Sequence, residues 1–93
     1  MISDSSIPKL ANGIDLLCED NQYYLYHLPD NKVLLLENSV SVDIIKLCNG
    51  EKSVYSIVVE LNNIYTNVTE TEIKSDLIEM LNILNNENFV EIT

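Results

Sequence analysis

The chain has no tryptophan, one phenylalanine, two glycines, two prolines, two cysteines and one histidine in 93 residues. Each scarcity excludes something. Phosphate cradles are built from glycine-rich turns, and Gly13 and Gly50 are too few and too far apart for one. Metal centres need several Cys, His or carboxylate groups at set spacings. His27 stands alone, and Cys18 and Cys48 are remote from each other in sequence. Without large aromatics, a core must be filled by Leu, Ile and Val. Basic residues are also few, five against 15 acids, for a net charge of −10. Nucleic-acid binding starts with neutralised phosphates, so this balance argues against DNA, RNA and anionic membrane surfaces. It favours a cationic or neutral partner.

No apolar run approaches the length of a membrane span. The N-terminus, Met1-Ile-Ser-Asp-Ser-Ser, lacks the basic start and apolar run of an export signal. The expected location is therefore the cytoplasm, with both cysteines as reduced thiols.

Nearly half of the residues are hydrophobic, and the length allows one thin-cored domain. Residues 1–12 read as a flexible N-terminal segment, and residues 13–93 as the domain. Ile14 to Cys18 reads as a strand, and Glu19-Asp20-Asn21-Gln22 as a turn. Tyr23 to Leu28 is an aromatic-rich strand. Pro29-Asp30-Asn31 makes the next turn, and Val33 to Leu36 the third strand.

The period then becomes helical. Asn38 or Ser39 caps a helix carrying Val40, Ile44, Ile45, Leu47 and Cys48 on one face, stopped at Asn49-Gly50. Ser53 caps a second helix with Val54, Ile57, Val58, Leu61, Ile64 and Tyr65. Thr71 is the expected cap of a third, with Ile73, Leu77, Met80, Leu81 and Leu84 along its core stripe. Phe89 to Ile92 closes the chain as a short strand. The expected fold is α+β and winged-helix-like: a three-stranded antiparallel sheet followed by three helices.

No catalytic constellation stands out. Cys48 falls on an apolar helix face and reads as an inert buried thiol, Cys18 as structural and His27 as a solvated strand residue. No enzymatic activity is expected. A sheet with an uncovered edge is instead a site where an extended peptide adds as a further strand. The candidate edge is Lys32 to Leu36. Its four consecutive aliphatics lack the alternation of a half-wet strand, which suggests cover on both faces. The same four residues also read as ordinary core.

The sequence Ile44-Ile45-Lys46-Leu47-Cys48-Asn49-Gly50 is followed by Lys52 and Ser53, by Val54, Ile57 and Leu61, and later by Asp76, Met80, Leu81, Leu84 and Val90. In this order and with these gaps the chain resembles PqqD-like domains, the recognition elements of ribosomal peptide pathways. It departs from their pattern at Val40-Ser41, where a Thr-Ala pair is usual, and at Asn88, where Gly is usual. The family's Leu before Asn38 falls on Glu37, or on Leu36 after a one-residue shift. That choice swaps the faces of the third strand.

The resemblance implies that the chain binds the leader segment of a precursor peptide by strand addition and hands it to a modifying enzyme, often a radical SAM enzyme, without a cofactor. It points to Val33, Leu34, Leu35 and Leu36 on the strand and to Leu77, Met80, Leu81 and Leu84 on the facing helix. Asp76 and Lys32 would read leader charges at the ends. Three alternatives remain beside it: a winged-helix DNA-binding regulator, a structural module that pairs with itself through the same strand edge, and a small enzyme.

Overall fold

The computed structural model describes residues 2–93, and its elements run in the expected order with one addition, a short strand near the N-terminal end. The strands are β1 (Pro8–Leu10), β2 (Ile14–Glu19), β3 (Gln22–His27), β4 (Lys32–Leu36) and β5 (Val90–Ile92). The helices are α1 (Ser39–Leu47), α2 (Val54–Ile64) and α3 (Glu70–Asn86). β2, β3 and β4 form an antiparallel sheet in that order.

Local chemistry explains the turns. Asp20 and Asn21 both adopt positive φ, 53° and 65°, as a two-residue hairpin loop requires. Asn31, at φ 54°, ends the turn into β4. Each helix begins at a side-chain cap. Asn38 accepts from the Ser41 N–H, Ser53 from the Ser56 N–H, and Thr69 from the Glu72 N–H. The third cap is thus Thr69, not the expected Thr71. Thr69 has the extended backbone that a cap needs, and helix α3 has already begun at Glu70. At its other end, Phe89 N–H bonds the Leu84 carbonyl and Asn88 N–H the Asn85 carbonyl, with Asn88 at φ 65°. Asn therefore fills the left-handed position where the family pattern has Gly.

Residues 2–12 were expected to be loose, yet they are tied into the fold, while Met1 lies outside the described residues. β1 pairs antiparallel with β5, with Lys9 opposite Glu91. The Ser6 and Asp4 carbonyls accept from the N–H groups of Val54 and Tyr55, at the start of α2. Those donors have no partner within the helix, so the segment satisfies them. No local sequence signal reports such distant pairing.

The core lies between the inner face of the β2–β3–β4 sheet and the helices. Leu25, Ile57, Leu61, Leu77, Leu81 and Leu84 are fully buried in it. Val42 joins them from α1, while Val40 and Leu47 stay partly exposed. His27 is buried rather than solvated. It faces inward, its ring centroid 6.1 Å from that of Phe89 and its Nδ1 3.0 Å from Asp30 Oδ2. Among the described residues no helix is long and apolar enough to cross a membrane.

Candidate functional site

The ladder between β3 and β4 settles which way each β4 side chain points. Tyr23 lies opposite Leu36, Leu25 opposite Leu34 and His27 opposite Lys32, with no bulge between them. Leu25 and His27 face inward, so Lys32, Leu34 and Leu36 do too. Leu36 is buried in the core and Glu37 is exposed, so Leu36 carries the apolar role. Val33 and Leu35 point away from the helices and are 59% and 42% exposed. The expectation that both faces of β4 are covered therefore fails within the chain itself. Its outer face is apolar and open.

β4 is also an edge strand. Among the described residues it pairs with β3 alone, which leaves one row of backbone groups unpaired. Beside that row runs a groove of about 680 Å³ between β4 and α3, closed at one end by the start of α1. Its strand wall is Leu34, Leu35 and Leu36. Its helix wall is Asp76, Glu79, Met80, Ile83 and Leu84. A second hollow of about 510 Å³ shares Leu35, Leu36, Glu37 and Asn38 and continues around the end of β4 toward Lys46 of α1. The other sheet edge is β2. It carries Asp15 and Glu19, charges of the kind that keep an edge unpaired.

Of the expected site residues, Leu34, Leu35, Leu36, Asp76, Met80 and Leu84 come together in the groove. Leu77 and Leu81 do not. Both are fully buried in the core, because they lie on the helix stripe that starts at Ile73 and packs inward, where α2 and β5 are the neighbours of α3. Val33 sits on the outer sheet face instead of in the groove. Lys32 sits at the far end of β4, its Nζ 3.6 Å from Glu87 Oε2 and 3.5 Å from the Glu87 carbonyl oxygen at the end of α3. A cation there complements the helix terminus.

Sequence reasoning missed Ile83, Glu79, Val40 and Glu37, which also line the groove. Ile83 is 51% exposed, an apolar residue out of phase with the core stripe, and that phase was the available signal. Glu37, Asp76 and Glu79 make the groove wall acidic, and none is in an ion pair among the described residues.

No cluster of His, Cys, Asp or Glu among the described residues is placed to hold a metal ion. Cys48 is buried, and burial pushes its thiol up to about 12, far from a nucleophile's range. Cys18 is exposed at the end of β2. Tyr65 donates a hydrogen bond to the Asp43 carboxylate, which raises its pKa by favouring the protonated phenol. That contact joins α1 to the end of α2.

The family model described as coenzyme PQQ synthesis protein D (PqqD) matches residues 23–90, well over half of the chain. Two solved structures share the fold. One is the PqqD truncation of Methylobacterium extorquens PqqCD, a solution NMR structure described as a functional, stand-alone recognition element for ribosomally synthesized and post-translationally modified peptides. It is 26% identical, with a TM-score of 0.80 over 98% of this chain and 95% of that one. The other is TbiB1 in complex with the TbiA(β) leader peptide, 24% identical, with a TM-score of 0.77 over 89% of this chain and 94% of that one. Among curated protein sequences none matches the chain.

Proposed function

The chain belongs to the PqqD family, and from that premise we propose that it binds the leader segment of a ribosomally made precursor peptide on β4 and presents it to a modifying enzyme. One observation carries the reading: the unpaired, aliphatic edge of β4 runs beside an apolar groove walled by α3. The two solved relatives support it, one described with a leader peptide and one as a recognition element.

An extended leader adds to the sheet through backbone hydrogen bonds, which tolerate many sequences. Alternate side chains enter the groove over Leu34, Met80 and Ile83 and supply selectivity. The acidic wall at Asp76 and Glu79 favours a basic residue at that end. The domain performs no chemistry. It orders a flexible leader and raises the local concentration of the attached core peptide at the enzyme, a radical SAM maturase in this reading. No cofactor is needed for that task.

Titration calorimetry with synthetic leaders from precursor peptides encoded beside this chain tests the reading. Binding of micromolar affinity or tighter is expected. Absence of heat with every such leader would sink it. Leu35→Arg, at an exposed edge position, should abolish binding while leaving the circular dichroism spectrum unchanged.

A further inference from the structure

The face of the sheet turned away from the helices carries two rows, apolar apart from Asp15, that are left open among the described residues. Register places Leu17, Tyr24 and Leu35 side by side in one row, and Asp15, Tyr26 and Val33 in the next. Leu17, Val33 and Leu35 are each more than 40% exposed. The two tyrosines direct their hydroxyls sideways, Tyr24 to Gln22 Oε1 and Tyr26 to Asn31 Oδ1, both at 2.6 Å, which leaves their rings as apolar surface. A contiguous apolar patch on a sheet face marks an interaction surface more often than a scatter of single residues does.

The charges around the patch are of one sign. Asp15 lies in it, Glu19 and Asp20 stand at the hairpin tip, and Glu37 follows β4. The only lysine in these three strands, Lys32, points to the inner side, where it meets Glu87. Lys46 is also on the inner side, 5.6 Å from the ring centre of the inward-facing Tyr23. A second copy of the chain would bring acid against acid, with a net charge of −10 on each partner. A protein with an apolar centre and a Lys- or Arg-rich rim is complementary.

We infer that this outer sheet face is the docking surface for the modifying enzyme, which seats an apolar patch on Leu17, Tyr24 and Leu35 and rings it with basic residues. The inference rests on the leader-binding reading. Val33 and Leu35 belong both to this face and to the strand that receives the leader, so an enzyme seated here lies against the bound peptide.

The two surfaces can be tested apart because Leu17 and Asp15 lie on β2, two strands and about 10 Å from the receiving edge. The probes are the leader peptide and the modifying enzyme encoded beside this chain, with affinities measured by interferometry and the state of the chain by sedimentation. Leu17→Asp should weaken enzyme binding about tenfold or more, as loss of a central apolar anchor does. Asp15→Lys should weaken it several-fold, and wild-type binding should fall as salt rises. Leader affinity should stay within twofold of wild type in both variants.

Enzyme binding unchanged in both variants would overturn the inference and leave the leader reading standing. So would an enzyme that does not bind the wild-type domain, with or without leader. A leader affinity lost in Leu17→Asp would assign the face to the peptide, and a wild-type dimer dissociated by Leu17→Asp would assign it to a second copy; either result overturns the enzyme assignment. A wild-type chain that binds no leader at all refutes the leader reading instead. Should Leu17→Asp fail to fold, Asp15→Lys decides, since its side chain is exposed and makes no ion pair among the described residues.

Discussion

Cys48 ends α1 with its thiol packed against the core, and its burial has a measurable pH consequence. Burial raises its pKa from 9.0 to about 12, so the unfolded chain releases this proton at a lower pH than the folded one. Below about pH 9 the group leaves stability unchanged. Between pH 9 and 12 stability should fall, by about 4 kcal/mol at the limit for one group shifted by three pH units. Tyr65 adds to the same alkaline loss, since its hydrogen bond to Asp43 holds the phenol protonated. Urea titrations at a series of pH values should show the decline, and Cys48→Ala should flatten it. In the native state a thiol reagent should find Cys18 only, and in urea both. This assignment was legible in the sequence, because Ile44, Ile45 and Cys48 share a helical face that only a core accepts. The exposure of Cys18 was not, since Cys18 shares the inward row of Tyr23 and Leu36 and is exposed only because it lies at the hairpin end of β2.

β4 and α3 divide their side chains between core and groove, and periodicity alone could not make that division. Four aliphatics in a row hide the two-residue alternation of a strand. Only pairing with Leu25 and Tyr23 of β3 shows that Leu34 and Leu36 point in while Val33 and Leu35 point out. In α3 two neighbouring stripes are both partly apolar. Ile73, Leu77, Leu81 and Leu84 are buried in the core, while Met80 and Ile83 turn to the groove, where Leu84 also contributes. The sequence reading joined Leu77 and Leu81 to the wrong stripe for that reason. A pair of substitutions separates the roles. Leu77→Ala should lower stability by about 2–5 kcal/mol, the usual cost of emptying a fully buried leucine site. Ile83→Ala should change stability little and weaken leader binding several-fold. Denaturation and calorimetry on both variants check this, and the assignment fails if Ile83→Ala binds as wild type.

At the scale of the whole molecule, the arrangement of three strands and three helices was readable from turns, caps and changes of period, whereas the closure of the chain on itself was not. Pro8-Lys9-Leu10 is too short to announce a strand, and its partner Val90–Ile92 is at the other end of the sequence. Yet the stretch from Asp4 to Leu10 completes the hydrogen bonding of three separate regions. Ile7 and Thr93 exchange two backbone bonds. The Pro8 carbonyl accepts from Gly50, and Leu10 N–H donates to the Cys48 carbonyl, which ties down the turn after α1. The Ser6 and Asp4 carbonyls cap α2. A thin-cored domain has a small total stability, and each such bond contributes about 1 kcal/mol. Deleting residues 2–10 should therefore shift the urea midpoint sharply downward, with a loss of several kcal/mol. The groove between β4 and α3 contains none of the deleted residues. Saturating leader peptide should thus recover part of the lost stability, because a ligand that binds only the folded state pulls the equilibrium toward it. If the truncated chain unfolds at the wild-type urea concentration, the segment is not part of the fold's support. If it is destabilised but gains nothing from leader, the groove depends on the closure of β1 on β5, and the two ends of the molecule are coupled.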